Sequence, residues 1–552
     1  MKKIHLILLS VLSGLLLSLA WPARGFAGLL FVGIVPLLVV EDFIFRHKEQ
    51  FIKFSVLFYS YPAFVIWNLL TTWWIYNSTG TGAILAVMIN AVFMAVVFNL
   101  FHFSRKKLNN DLAAYIAFIC YWISFEYLHL NWSLNWPWLN LGNGFASFTK
   151  WIQWYEYTGT LGGSVWVLLV NILLFKAVNQ FISLKAEGGG QKAESRRQRG
   201  EGRRIKMEYL VGYFVSGITL ILLPIIISWF IYTNYHETNH PVKIVLVQPN
   251  VDPYNEQYVL PPPEVVGKIM SLAGPELDST TNFLVAPESA IQESMWENDL
   301  NTFASLRLLK EVIRKYPNLN IIVGGSTFRV FGKDEQVTAS ARKFTDTDGY
   351  YDAYNTSILL NSRDELQLYH KSKLTPGVES MPSFGYFKWL EKFAINLGGT
   401  VGTLGTDPVR KVYSTVNSVP VSAAICYESI FGEFFATFVK NGAQVMFIIT
   451  NDGWWGNTAG HRQHFSFAPL RAIETRRDIG RSANTGISAV IDQRGDVSGK
   501  TKYWVPAVIK ETINANDKMT FYVLHGDFLA RAATIIGGML FVFSLIVKFR
   551  KK

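Results

Sequence analysis

The chain has 552 residues, half of them hydrophobic, 15% aromatic and only 17% charged. That is too apolar for an ordinary soluble protein and too long for one domain. Of the two cysteines, Cys120 sits in an apolar segment, which argues against a disulfide framework and makes Cys426 a free thiol. The net charge of +11, which elsewhere would suggest a nucleic-acid partner, is distributed in a way that argues against one.

Seven apolar segments precede residue 235, at about 4–21, 26–40, 54–76, 83–103, 112–130, 161–184 and 209–232. An eighth runs from about 529 to 547. The seventh is uncharged throughout and exceeds the ~20 residues that span a bilayer. The second is short and reads as a tilted or re-entrant piece. Segment 4–21 follows Lys2-Lys3 as a secretory signal would, but with further spans close behind it reads as the first membrane helix. Basic residues gather in alternate loops: Lys2-Lys3, Arg105-Lys106-Lys107, the run 185–206 and the tail 548–552. These stretches carry more positive charge than the whole chain, so the remainder is slightly acidic. The basic balance is therefore topological and needs no nucleic acid. With both ends cytoplasmic, eight spans put 235–528 outside the cytoplasm.

The Gly/Arg-rich run 187–204 has too few apolar residues to pack and reads as a flexible cytoplasmic loop. On the opposite side, 131–157 carries Trp132, Trp136, Trp138, Trp151 and Trp154. Indoles favour the headgroup layer, so this loop is expected along the outer membrane–water interface, as a plain aromatic belt or as the floor of a lipid site. Stretch 235–528 reads as an α/β domain. Strand-like runs fall at 243–248, 282–286, 320–325, 356–360, 421–425, 445–450 and 486–491. Helical stretches such as 303–315 and 469–477 separate them, which predicts one or two sheets covered by helices. The division is then a seven-span membrane domain at 1–234, the α/β domain at 235–528, and a last span with a basic tail at 529–552.

Three strand-like runs end on reactive groups: 283–286 leads into Pro287-Glu288, 421–425 into Cys426, and 445–450 into Asn451-Asp452-Gly453-Trp454-Trp455. Between them lies Tyr369-His370-Lys371-Ser372-Lys373. A lone cysteine after apolar residues is usually a small buried hydrophobe. As a nucleophile it needs a base, and a carboxylate partly desolvated at a strand end can have the raised pKa required. A nearby ammonium would stabilise the thiolate and then the oxyanion of a tetrahedral intermediate. Each residue also has a plain role open to it: Glu288 as a helix cap, Lys371 or Lys373 on a solvated loop.

The ordered set Pro287-Glu288, Tyr369-His370-Lys371 and Cys426-Tyr427-Glu428 resembles the Glu-Lys-Cys triad of the nitrilase, or carbon–nitrogen hydrolase, superfamily. Joined to membrane spans, it resembles the apolipoprotein N-acyltransferase family. Trp136-Pro137-Trp138-Leu139, Asn355-Thr356, the Asn451–Gly456 block, the run from Gln463-His464 to Glu474, Arg481–Gly486 and Gly526-Asp527 match as well. Two places depart from the family: Gly377-Val378 stands before Glu379 where Phe-Gly is usual, and Tyr254 stands where a Trp is common. The resemblance implies a polytopic α-helical membrane module of about eight spans and an extracytoplasmic nitrilase-like αββα sandwich. It implies ping-pong acyl transfer, from a membrane phospholipid through a Cys426 thioester to the α-amine of an S-diacylglyceryl-cysteine lipoprotein. Glu288 would be the base and Lys371 the oxyanion donor. Glu379 and Glu428 would support them, with Tyr427, Trp136 and Trp138 lining the site. It implies no metal or organic cofactor, a monomer, and a bacterial inner membrane with the catalytic domain on the periplasmic side.

Other readings compete. A membrane-tethered amidase acting on a small soluble amide would need the same triad. A transporter or receptor would draw on Glu126 and Lys176, which fall within spans where charge is costly. A Cys-His protease would use His464, for which the sequence offers no evident acid partner.

Overall fold

A computed structural model describes residues 1–108, 110–187, 196–363, 365–380 and 403–550. Each apolar run is helical, because lipid leaves no water to satisfy backbone amides and the helix satisfies them internally. By length and apolarity six helices among the described residues can cross a membrane: Ala27–Arg46, Gly80–Leu108, Asp111–Asn131, Tyr155–Lys185, Arg203–Asn234 and Phe528–Val547. Lys3–Leu19 is shorter, and Ser55–Thr72 is more polar, with Asn68, Thr71 and Thr72 buried. These two helices cross closely at Gly14, where a Cβ would stand 2.5 Å from the carbonyl of Ala63. The run expected to be tilted or re-entrant is broken at Ile34. There Asn171 Oδ1 accepts from the amides of Ile34 and Val35, at 2.8 and 3.1 Å, while its Nδ2 donates to Leu30 O at 2.7 Å. One buried amide side chain thus replaces the hydrogen bonds that the break removes.

Burial orders the helices. The most apolar stretch of Tyr155–Lys185 is 67% buried and central, whereas that of Arg203–Asn234 is only 6% buried and peripheral, its apolar surface turned outward as lipid requires. The run 187–204, expected as a flexible loop, lies partly outside the described residues, and from Arg196 the chain is already helical. Glu126 and Lys176 each have partners of their own. Glu126 accepts from Trp122 Nε1, Leu141 N and Ser164 Oγ at 2.9, 2.8 and 2.6 Å, and Lys176 Nζ lies 2.8 Å from Asp111. Both tie helices together, which removes their support for a transport pathway.

The α/β half holds thirteen strands among the described residues. They are β1 Pro241–Gln248, β2 Phe283–Val285, β3 Ile291–Trp296, β4 Asn320–Val330, β5 Arg342–Lys343, β6 Tyr350–Leu360 and β7 Gln367–His370. The remainder are β8 Val421–Ile425, β9 Val445–Thr450, β10 Ile479–Ala483, β11 Ala489–Ile491, β12 Val497–Ser498 and β13 Ala507–Asn514. One sheet has the order β13-β1-β2-β4-β6-β5, with β3 on β4 and β7 on β6; the other has β12-β11-β10-β9-β8. Side-chain alternation decides the layering. Val242, Ile244 and Leu246 of β1 share a core with the apolar residues of β8 and β9, while Val245 and Val247 pack with helices Pro262–Ala273 and Ala304–Lys315. Phe283 and Phe447 meet across the two sheets at 5.3 Å.

Helices Gly432–Lys440 and Ala459–Thr475 cover the second sheet. The latter starts ten residues before the expected 469 and has two buried faces: Phe465, Ala468 and Ala472 meet the sheet, and Phe467, Leu470 and Ile473 join the core of the membrane helices. The result is the αββα sandwich that the resemblance implied, with its second helical layer pressed against the membrane bundle.

Candidate active site

Four strand ends and one loop converge between the sheets. Glu288 follows β2, and Ser289 after it has φ 56°, so the chain turns sharply there. Gly324 of β4 makes room, since a Cβ on it would stand 2.6 Å from the Cα of Glu288. Lys371 follows β7 and is oriented by its own amide, which donates to Asn355 O of β6 at 2.8 Å. Cys426 follows β8 with φ 49°, the left-handed region that a residue with a side chain rarely occupies.

Lys371 Nζ bridges two carboxylates, donating to Glu288 Oε1 at 3.0 Å and Glu379 Oε1 at 2.8 Å. Asn355 Nδ2 donates to the same two oxygens at 2.8 and 3.0 Å. The second oxygen of each acid takes a backbone amide, Asn451 N at 3.0 Å for Glu288 and Thr375 N at 2.9 Å for Glu379. Burial opposes the Lys371 ammonium, but the charges of Glu288 and Glu379 outweigh it and hold its pKa well above the usual lysine value. Burial likewise works against Glu379, and Lys371 more than compensates, keeping that carboxylate ionised. Burial pushes the Cys426 thiol well up; the Glu288 charge pushes the same way, and Lys371 opposes both. The resting site is thus an ion cluster beside a neutral thiol, with a carboxylate available to take its proton.

Glu428 does not join that cluster. Its Oε1 accepts from Tyr369 Oη at 2.7 Å and Ser372 N at 2.6 Å, and its Oε2 from Ile425 N at 2.8 Å. It ties the loop that carries Lys371 to the turn at Cys426. Tyr427 Oη donates to Asn135 Oδ1 at 2.7 Å, and its ring lies 5.9 Å from Trp138. Trp138 is buried among Trp74, Trp455 and Phe467. Trp136 sits further off, its amide bonded to His129 O and its ring against the membrane-helix core. Lys373 points away from the acids: its Nζ donates to Leu130 O at 2.8 Å and lies 4.8 Å from the ring of Phe431. Burial and the neighbouring Arg410 lower its pKa to about 8. Tyr254 is half-exposed and bonds Trp454 O.

Sequence reasoning gave no role to Asn355 or Asn451, because asparagine on a strand or turn has many ordinary uses. Tyr258 was missed entirely. Its phenol is raised to about 12 by burial and then by the charges of Glu288 and Glu379. His464 has the acid partner that the sequence did not reveal: Nδ1 lies 2.8 Å from Asp452 Oδ1. Its Nε2, however, meets the backbone oxygen of Cys426 at 3.1 Å, which does not make it a base for the thiol. Cys426, Asp452 and His464 bring potential metal-ligand atoms within 4.8 Å of one another. The Asp452 carboxylate is already engaged by Arg481 at 2.7 Å and Thr450 Oγ1 at 2.8 Å as well as by His464, so the trio reads as a hydrogen-bonded network.

Comparisons with known proteins take in both halves of the chain. Residues 13–173 match the family model of the Apolipoprotein N-acyltransferase N-terminal domain, and 246–518 match that of Carbon-nitrogen hydrolase. An apolipoprotein N-acyltransferase of Chlorobaculum tepidum is 28% identical over 99% of this chain and 97% of its own. That of Geobacter metallireducens is 26% identical over 99% and 95%. Among solved structures, an amidase of the nitrilase superfamily from Nesterenkonia aligns with a TM-score of 0.36 and 16% identity, over 53% of this chain and 96% of that one.

Proposed function

The chain belongs to the apolipoprotein N-acyltransferases of the carbon–nitrogen hydrolase superfamily, and from that premise we propose how its site works. Glu288 takes the thiol proton as Cys426 attacks the sn-1 ester carbonyl of a phospholipid. Lys371 stabilises the oxyanion, the ester C–O bond breaks, and lysophospholipid leaves with the proton that Glu288 returns. The α-amine of an S-diacylglyceryl-cysteine at a lipoprotein's N-terminus then attacks the thioester. Glu288 accepts the amine proton, the amide forms, and the thiol is restored. Glu379 and Asn355 hold Lys371 against Glu288, and Glu428 holds the two loops together. No metal or organic cofactor enters this scheme.

The observation that carries the reading is a lysine bridging two carboxylates beside a cysteine in left-handed backbone, on a turn whose next residue packs onto Trp138. That junction with the apolar helices suits a donor arriving from lipid and keeps water from the thioester. A tethered amidase is not favoured, since the family match takes in the helical half as well as the hydrolase half. The alternation of basic loops supports a multi-pass protein of the bacterial inner membrane, organised as 1–234, 235–528 and 529–552, with the middle part periplasmic. We expect it to act as a monomer. The deciding experiment is intact-mass analysis of the protein after incubation with phospholipid vesicles. A single acyl adduct on Cys426, discharged by a diacylglyceryl-cysteine peptide, is the expected result; no adduct, or an adduct elsewhere, would overturn the reading.

A further inference from the structure

Helix Ala459–Thr475 has no part in the chemistry above, yet it touches both ends of the nucleophile's turn, Cys426–Ile430. At one end His464 Nε2 lies 3.1 Å from Cys426 O and 3.1 Å from Ser429 Oγ. About two turns further along the same face, Arg471 Nη1 donates to Ile430 O at 2.5 Å.

His464 is placed to donate to the carbonyl of Cys426. A carbonyl only accepts, and the Ser429 hydroxyl donates its proton to Cys426 O at 2.7 Å. A hydrogen on Nε2 makes the ring a second donor to Cys426 O, 3.1 Å away. On the other side of the ring Nδ1 faces Asp452 Oδ1 at 2.8 Å and Arg481 Nη2 at 3.2 Å. Burial disfavours the Asp452 carboxylate, but Arg481 and His464 hold it well below the usual carboxylate range. The ring is buried, with Trp455 at 5.5 Å and Trp138 at 6.3 Å edge-on to it.

Left-handed backbone at a residue with a side chain persists only where its surroundings over-determine it. Cys426 is such a residue, and the donors to its carbonyl are part of what determines it. Because the peptide is planar and trans, fixing that carbonyl also fixes the N–H of Tyr427 on the opposite edge. The same helix is tied to the membrane bundle. Gln463 Nε2 donates to Thr71 O at 2.9 Å, Trp74 Nε1 donates to Gln463 Oε1 at 3.3 Å, and Thr160 N donates to Glu474 Oε1 at 3.1 Å.

We propose that His464, held by Asp452, and Arg471 are positioning residues that clamp the first and last carbonyls of the nucleophile turn, so that the thiol is aimed at the Glu288–Lys371 cluster from a helix anchored in the membrane bundle. The inference rests on the reading of Cys426 as the acylated nucleophile. The test uses full-length protein and phospholipid vesicles, following adduct formation in a single turnover at several lipid concentrations. His464→Leu slows acylation by about 10- to 100-fold at saturating lipid, the scale of a small misplacement of reacting groups, with the half-saturating concentration unchanged. His464→Gln, whose amide can still donate to the carbonyl, recovers most of that loss. Ser429→Ala removes only the second donor to the same oxygen and slows acylation by about 3- to 10-fold, the worth of one hydrogen bond. Wild-type acylation in His464→Leu or Ser429→Ala overturns the proposal. So does a Gln variant as slow as Leu, with both melting at the same lowered temperature, because that pattern belongs to a merely structural side chain. Cys426→Ala is run alongside: an adduct surviving there overturns the nucleophile itself, an outcome distinct from failure of the clamp.

Discussion

Two buried clusters of charge lie at different places in the helical and α/β parts of the molecule, and they are built alike. Among the membrane helices, Arg105 meets Glu41 at 2.5 Å, Asp42 at 2.8 Å and Asp111 at 3.5 Å, while His102 bonds Glu41 at 2.6 Å and Lys176 bonds Asp111. At the site, Lys371 meets Glu288 and Glu379. Both comprise a buried cation bridging acids, so burial and ion pairing alone do not mark function. What differs is the neighbour. The Arg105 cluster borders the apolar surfaces of helices, whereas the Lys371 cluster borders a thiol on left-handed backbone. A cluster that only fastens helices has no strained, reactive group beside it.

The largest effects should separate the two clusters most sharply. Cys426→Ala abolishes the acyl adduct, and Glu288→Gln and Lys371→Ala each lower its formation by about 10²-fold or more, through loss of the base or of oxyanion stabilisation. Mass analysis after a fixed incubation reads all three. An active Lys371→Ala variant would make that cluster a fastening like the other.

Arg105→Met tests the opposite side. It leaves Glu41, Asp42 and Asp111 without their common partner, and the loss of one member of a buried ion pair destabilises by about 3–5 kcal/mol. Thermal unfolding in detergent should show the drop, while protein that remains folded acylates at the normal rate. A folded, inactive Arg105→Met protein would connect the two clusters and end the contrast. A smaller effect is expected of Lys373→Ala, which removes a bond to Leu130 O and a contact with Phe431 but no charge from the acid cluster. Acylation should fall by only a few-fold, about the worth of one exposed or half-buried hydrogen bond.

How legible the site was in the sequence follows the same division. The ends of β8 and β9 were plain, because strands buried on both faces read as continuous apolar runs bounded by polar residues. β13 was not, since its burial is confined to a few positions and Lys510, Glu511 and Thr512 are exposed. β7 does not stand out either, being only four residues long and half-polar. Lys371 and Lys373 could be told apart only by resemblance, for nothing in Tyr369–Lys373 says which lysine turns inward. The pairing of β7 with β6 decides it, setting His370 opposite Thr356 and leaving the Lys371 amide to bond Asn355 O. The acid for His464 was invisible because Asp452 lies twelve residues away, across a turn and one end of a helix.

The finest test of the contrast is the titration of the thiol, read as the rate of Cys426 alkylation by iodoacetamide against pH and followed on the peptide that carries it. The thiolate is the reactive form, so the midpoint of the profile reports the thiol pKa. Burial comes first among the causes that raise it and should leave the midpoint above that of an ordinary cysteine. The charges then act with opposite signs: Glu288 raises the pKa and Lys371 lowers it. Glu288→Gln removes a negative neighbour, so the thiolate forms at lower pH and alkylation at a fixed alkaline pH becomes faster, even though acyl transfer is lost. Lys371→Met removes the positive neighbour, so the midpoint moves up and alkylation slows. Arg105→Met belongs to the distant cluster and should leave the midpoint in place. Opposite displacements by two variants that are both inactive in acyl transfer would tie the thiol electrostatically to that base and that lysine. If Glu288→Gln and Lys371→Met moved the midpoint the same way, desolvation alone would govern the thiol, and the ion cluster would have no hold on the nucleophile it borders.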